Sequence, residues 1–104
     1  MEFRLVVTQI SDDSPNVITF RGDVEIVLEL PLDRLGLLLK EGERVKLVLS
    51  QEREENYKNY KAYMWGIVYH VGDGVTRISI GGLQLDIKKE LPFRTGEKVY
   101  IGLL

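Results

Sequence analysis

Asp23-Val24-Glu25-Ile26-Val27-Leu28-Glu29-Leu30 is the stretch whose rhythm decides the fold. Val24, Ile26, Leu28 and Leu30 take every second position, with Asp23, Glu25, Val27 and Glu29 between them. Successive side chains of an extended chain leave on opposite faces, so one apolar face turns to a core and one mostly charged face to water. The rhythm returns in Val45-Leu47-Leu49 against Arg44, Lys46 and Val48, and in Leu83-Leu85-Ile87 against Gln84, Asp86 and Lys88. It returns again in Val99-Ile101-Leu103 against Lys98, Tyr100 and Gly102. This is the pattern of antiparallel sheet with one buried face.

Turn-forming residues separate these runs. Ser11-Asp12-Asp13-Ser14-Pro15-Asn16 follows a first strand over residues 2–10, and Arg21-Gly22-Asp23 and Lys40-Glu41-Gly42-Glu43 break the next segments. Gly72-Asp73-Gly74 sits between two apolar runs as a tight hairpin, and Gly81-Gly82 and Arg94-Thr95-Gly96-Glu97 complete the set. Regular punctuation of this kind predicts an all-β chain of about eight short antiparallel strands, a small barrel or a sandwich, and barrel closure would also remove unpaired edges. At 104 residues it is a single domain spanning 1–104. No internal repeat or low-complexity tract is apparent.

Pro31-Leu32-Asp33-Arg34-Leu35-Gly36-Leu37-Leu38-Leu39 departs from period two. Leu32, Leu35 and Leu38/Leu39 stand at helical spacing, which predicts a short helical or 3₁₀ connection whose leucines plug one barrel end; Gly36 limits its length. Gln51 to Asn59 mixes acids and bases with no apolar face and is expected to be a solvated loop.

Composition narrows the function. There are no cysteines, so disulfides, thiolate metal sites and cysteine nucleophiles are excluded. Met1-Glu2-Phe3-Arg4-Leu5-Val6-Val7 has the pattern of a strand rather than a signal peptide, and the leucine cluster is too short to span a bilayer. The expectation is a soluble, cytoplasmic protein with no membrane partner; abundant charge with few Asn and Gln also suits a thermophile. Lys+Arg 14 against Asp+Glu 16 gives a net charge of −2, without the basic excess of a dedicated nucleic-acid binder.

Catalytic constellations are not recognisable. The one histidine, His70, is expected to be a strand-end residue; an Asp73 pairing is imaginable across the turn, but no nucleophile stands beside it in sequence. Asp12 and Asp13 are turn formers, and neither calcium-loop nor zinc spacing occurs. Gly72-Asp73-Gly74 leads into a strand rather than a phosphate-holding helix. No cofactor, metal or small-molecule substrate is expected, and a small hydrolase or isomerase is disfavoured.

Lys61-Ala62-Tyr63-Met64-Trp65-Gly66-Ile67-Val68-Tyr69-His70 is apolar on both faces. Ala62, Met64, Gly66 and Val68 share one face, and Tyr63, Trp65, Ile67 and Tyr69 the other. One face belongs to the core. The aromatic face is either covered by the chain's own loops or left as a docking patch, since Tyr and Trp are enriched at interface hot spots. Lys61, Tyr63, Trp65 and Arg77 together would instead allow stacking of single-stranded bases. If Gly81-Gly82 lies within a strand, the pair marks a bulge, a corner or a close backbone approach, by this chain or by another.

From Ala62 to Tyr69, through Arg77-Ile78-Ser79-Ile80-Gly81-Gly82-Leu83-Gln84-Leu85-Asp86-Ile87, to Lys98-Val99-Tyr100-Ile101-Gly102-Leu103, the chain resembles the subunit 8 family of RNA polymerases. That family comprises the small common subunit of the eukaryotic enzymes and its archaeal counterpart. The shared features are an aromatic-Met-aromatic-Gly strand, a Gly-Gly-Leu strand with alternating apolar residues, and a closing Val-Tyr strand. Asp23 to Leu30 and Gly42 to Ser50 fit the family's middle strands more loosely. Residues 51–60 are shorter and more charge-balanced than the acidic loop of eukaryotic members, so the chain looks more like a short archaeal one. The resemblance implies an eight-stranded antiparallel barrel related to the oligonucleotide/oligosaccharide-binding (OB) fold, and a non-catalytic subunit that docks on the largest polymerase subunit to support assembly and stability. From the matching motifs, Trp65, Tyr69, Gly81, Gly82 and Leu83 are expected at the interface. An autonomous single-strand-binding protein is the alternative.

Overall fold

The computed structural model describes residues 1–104 as a closed barrel of eight antiparallel strands. In chain order they are β1 (Glu2–Ile10), β2 (Asn16–Gly22), β3 (Ile26–Leu30), β4 (Arg44–Ser50), β5 (Ala62–Gly72), β6 (Val75–Ile80), β7 (Leu83–Ile87) and β8 (Lys98–Leu103). A single helical turn, α1 (Leu32–Leu35), lies between β3 and β4, and a 3₁₀ turn (Tyr57–Asn59) between β4 and β5. No helix is long and apolar enough to cross a membrane.

Around the barrel the order is β1-β2-β3-β7-β6-β5-β8-β4. β1-β2-β3 is a meander and β4 returns beside β1; β5-β6-β7 is a second meander and β8 returns beside β5. Each half is thus a Greek key with the fourth strand beside the first. The registers obey the same two-fold relation. Across the β3–β7 seam, Ile26 pairs with Ile87 and Leu28 with Leu85, and across β4–β8, Leu47 pairs with Leu103 and Leu49 with Ile101. Each seam maps onto itself when the halves are exchanged. Even the irregularities match: β1 is bulged between Val7 and Gln9, and β5 between Val68 and His70. No repeat in the residue letters announces this duplication.

The period-two reading holds from strand to strand. Ile26, Leu28 and Leu30 are buried, as are Val45, Leu47 and Leu49, Leu85 and Ile87, and Val99, Ile101 and Leu103, with Phe20 among the largest core side chains. Closure leaves every strand paired on both sides, so no ladder edge is left unpaired.

One local expectation needs correction. Gly36, at φ 61°, ends α1 after one turn, and the Leu37 N–H donates to the Leu32 carbonyl. The helical spacing therefore stops. Leu32 is buried and Leu37 and Leu39 pack on the core, whereas Leu35 and Leu38 point to solvent. The glycine pair is the turn between two runs that the punctuation predicts, and not a pair inside a strand. Gly81 (φ 57°) and Gly82 (φ 96°) form the two-residue connection between β6 and β7, where both central residues of the turn need positive φ. Nothing lies within 4 Å of a Cβ built at either, so no backbone of this chain approaches there.

Candidate functional site: the outer face of β5

β5 passes one row of side chains into the core and one outward. Inward, Gly66 is forced by contact: a Cβ there would stand 2.7 Å from both Ile78 Cγ2 and the Ser79 carbonyl oxygen. Outward, Trp65, Ile67 and Tyr69 remain 52 %, 36 % and 40 % exposed. Self-coverage by loops therefore reaches Tyr63 alone among the outer residues of this strand. Tyr63 stacks between Tyr57 (centroids 5.7 Å apart) and Tyr100 (6.1 Å), with Tyr60 tilted against it at 5.3 Å. Its hydroxyl accepts the Glu54 N–H at 2.7 Å. The loop over 51–59 is thus exposed, as expected, yet fastened to the barrel by aromatic rings its charge balance concealed. Burial, followed by the nearby Glu54 carboxylate, raises the Tyr60 hydroxyl above its ordinary pKa.

The neighbouring strand completes the patch. Trp65 pairs with Tyr100 and Ile67 with Lys98, and the Lys98 ammonium lies 4.4 Å from the Trp65 ring centre and 5.3 Å from that of Tyr100. Arg53, Tyr57, Tyr63, Met64, Trp65, Lys98 and Tyr100 line an open groove of about 380 Å³. Sequence reasoning placed Lys98 and Tyr100 on the outer face of their strand without connecting them to Trp65. The connection is a long-range register, and only the alternation in β8 hinted at it.

The residues expected at an interface fall into three settings. Trp65 and Tyr69 share the outward row of β5, with Tyr69 at the bulge. Ile67 pairs with Ser79, and continuing that register brings Gly81 beside Trp65, so the exposed Gly81-Gly82 turn borders the same patch. Leu83 instead packs its half-buried side chain against the core. The four residues named for base stacking do not converge. Lys61 precedes β5 and is bound to Glu43 at 2.5 Å, whereas Arg77 lies opposite His70 near the other end of the strand and faces Asp86 at 3.9 Å. Tyr63 and Trp65 are the pair that share a groove.

His70 Nε2 donates to the Gly72 carbonyl at 3.1 Å and makes no hydrogen bond to Asp73, which occupies the hairpin turn at φ 55°. No group of three or more His, Cys, Asp or Glu residues is arranged to hold a metal ion. The one buried polar side chain, Thr76, has both roles filled: its hydroxyl donates to the Lys89 carbonyl at 2.7 Å and accepts the Leu91 N–H at 2.9 Å. Compared with known proteins, the chain matches no family model and no curated sequence.

Proposed function

We propose that the chain is a non-catalytic docking subunit of a DNA-directed RNA polymerase, seated on the largest subunit through the outer face of β5 and acting in assembly and stability. The observation that carries the docking reading is the exposed row Trp65–Ile67–Tyr69 on a barrel with no free edge. Large apolar side chains left in water beside an ordered cation are what an interface core requires, since buried aromatic anchors supply most of the binding energy. The polymerase reading rests on the resemblance of β5 to β8 to the subunit 8 family. Mixing the chain with recombinant largest subunit and following co-elution by size exclusion tests it. The wild type is expected to co-elute and the Trp65→Ala/Tyr69→Ala variant to run alone; a wild type that runs alone counts against the assignment.

A second reading, single-strand nucleic-acid binding, is favoured by one feature, the Tyr57–Tyr63–Tyr100 stack beside Lys98. Stacking platforms of this kind bind bases with little sequence preference. The internal pairing of Lys61 and Arg77 weighs against it. Oligothymidylate that fails to bind even at low salt would remove this reading.

A further inference from the structure

The two-fold relation between the Greek keys gives the aromatic patch a counterpart. In the second key Trp65 pairs with Tyr100 and Ile67 with Lys98; in the first, Arg4 pairs with Lys46 and Val6 with Arg44. Trp65 and Tyr100 therefore stand where the first half has Arg4 and Lys46, while Ile67 and Lys98 keep the aliphatic and cationic character of Val6 and Arg44. Arg4, Val6, Arg44 and Lys46 line an open groove of about 560 Å³ with Leu104; Leu5 and Val45 turn their side chains into the core and border it through the main chain.

This arrangement works against the free barrel. Arg4 and Lys46 stand directly opposite on adjacent strands, where like charges destabilise the ladder. Lys46 is relieved by Glu2 at 3.7 Å, but neither Arg4 nor Arg44 makes an ion pair. The nearest acid by sequence pairing, Asp23, accepts the main-chain N–H of Arg4 at 2.8 Å and leaves the guanidinium unpaired. In a chain of net charge −2, two unpaired arginines beside Lys46 and the half-exposed Val6 and Leu104 mark a surface shaped for something outside the chain.

We infer that the groove between β1 and β4 docks an extended acidic segment of a partner protein, with carboxylates on Arg4, Arg44 and Lys46 and apolar side chains against Val6 and Leu104. Spacing and chemistry both favour this occupant. Arg44 and Lys46 are two residues apart on one strand, about 6.6–6.8 Å, which is also the repeat of side chains on one face of an extended peptide. Guanidinium groups bind carboxylates in a two-pronged fashion. Phosphates could meet the same charges, but no aromatic ring lines this groove to stack a base. The surface goes beyond the docking face on β5 and is tested without polymerase.

The test titrates the full chain with a fluorescein-labelled peptide of alternating Glu and Val, its Gln-and-Val analogue, and oligothymidylate. The Glu peptide is expected to bind best, and Arg4→Gln/Arg44→Gln to weaken it about tenfold or more, while Trp65→Ala leaves it unchanged. Amide NMR of the wild type keeps the claim testable if the double variant does not fold: shifts are expected at Arg4, Val6, Arg44 and Lys46. A Glu peptide that binds no better than its Gln analogue, shifts confined to β5 and β8, or oligothymidylate displacing the peptide from these residues would each overturn the inference.

Discussion

The two Greek keys share a core and differ on their surfaces. Inside, Leu47 and Leu49 of the first key meet Leu103 and Ile101 of the second, and the buried residues form one cluster drawn from both halves. Outside, Glu2, Arg4 and Val6 occupy positions that Tyr63, Trp65 and Ile67 occupy in the other key. The difference separates two demands on a strand. The inward row answers to packing, and it is mostly aliphatic in both halves, with volume exchanged between them where Leu5 of the first key corresponds to Gly66 of the second. The outward row answers to what the barrel meets, and there the halves diverge.

If the core is shared, damage to either half should be felt equally by the whole. Phe20→Ala in the first key is expected to cost about 3–5 kcal/mol, and Leu85→Ala in the second about 2–5 kcal/mol. Urea unfolding followed by tryptophan fluorescence and circular dichroism should give a single transition for both variants. Separate transitions would mean that the keys are independent units. A smaller loss is expected at Gly66, where the first key accommodates Leu5 at the matching register. Gly66→Ala drives a methyl against Ile78 and the Ser79 carbonyl, for about 1–3 kcal/mol in the same unfolding measurement.

On the outer rows the scale falls again. Trp65→Ala and Tyr69→Ala should each change unfolding free energy by no more than about 1 kcal/mol, because the lost contacts were already half in water. A greater loss would return these side chains to the core's account. The smallest effect belongs to the Lys61–Glu43 pair, which ties the β3–β4 connection to the start of β5. The hydrogen bond from Lys61, then the Lys40 N–H, lowers the Glu43 carboxyl below its ordinary 4.5. A lowered carboxyl stabilises the fold above the unfolded value, and that contribution is lost as pH falls through the folded value. Thermal melts of wild type and Lys61→Met should therefore differ slightly above pH 4.5 and converge below it. The solvated setting keeps the difference small.

The barrel was legible because alternation and turn chemistry are local. Leu28 and Ile101 declare their faces through their neighbours, and Asp73-Gly74 declares its hairpin. What escaped was non-local or terminated by a single residue. Leu35 and Leu38 kept helical spacing that Gly36 had already ended. Tyr57 sat among charges that gave no sign of its stack on Tyr63. Lys98 and Trp65 meet through a pairing across more than thirty positions of sequence, which no window along the chain contains. The cationic groove was hidden in the same way: Arg4 and Lys46 read separately as the polar halves of two amphipathic strands.

Trp65 is the chain's single tryptophan, so it can report alone on the face at issue. Protein carrying 5-fluorotryptophan gives one fluorine NMR resonance, to be followed while unlabelled largest polymerase subunit is added. Seating of the β5 face on that subunit should move and broaden the resonance as the indole leaves water. A complex that forms while the resonance stays in place, or no complex at all, would contradict it.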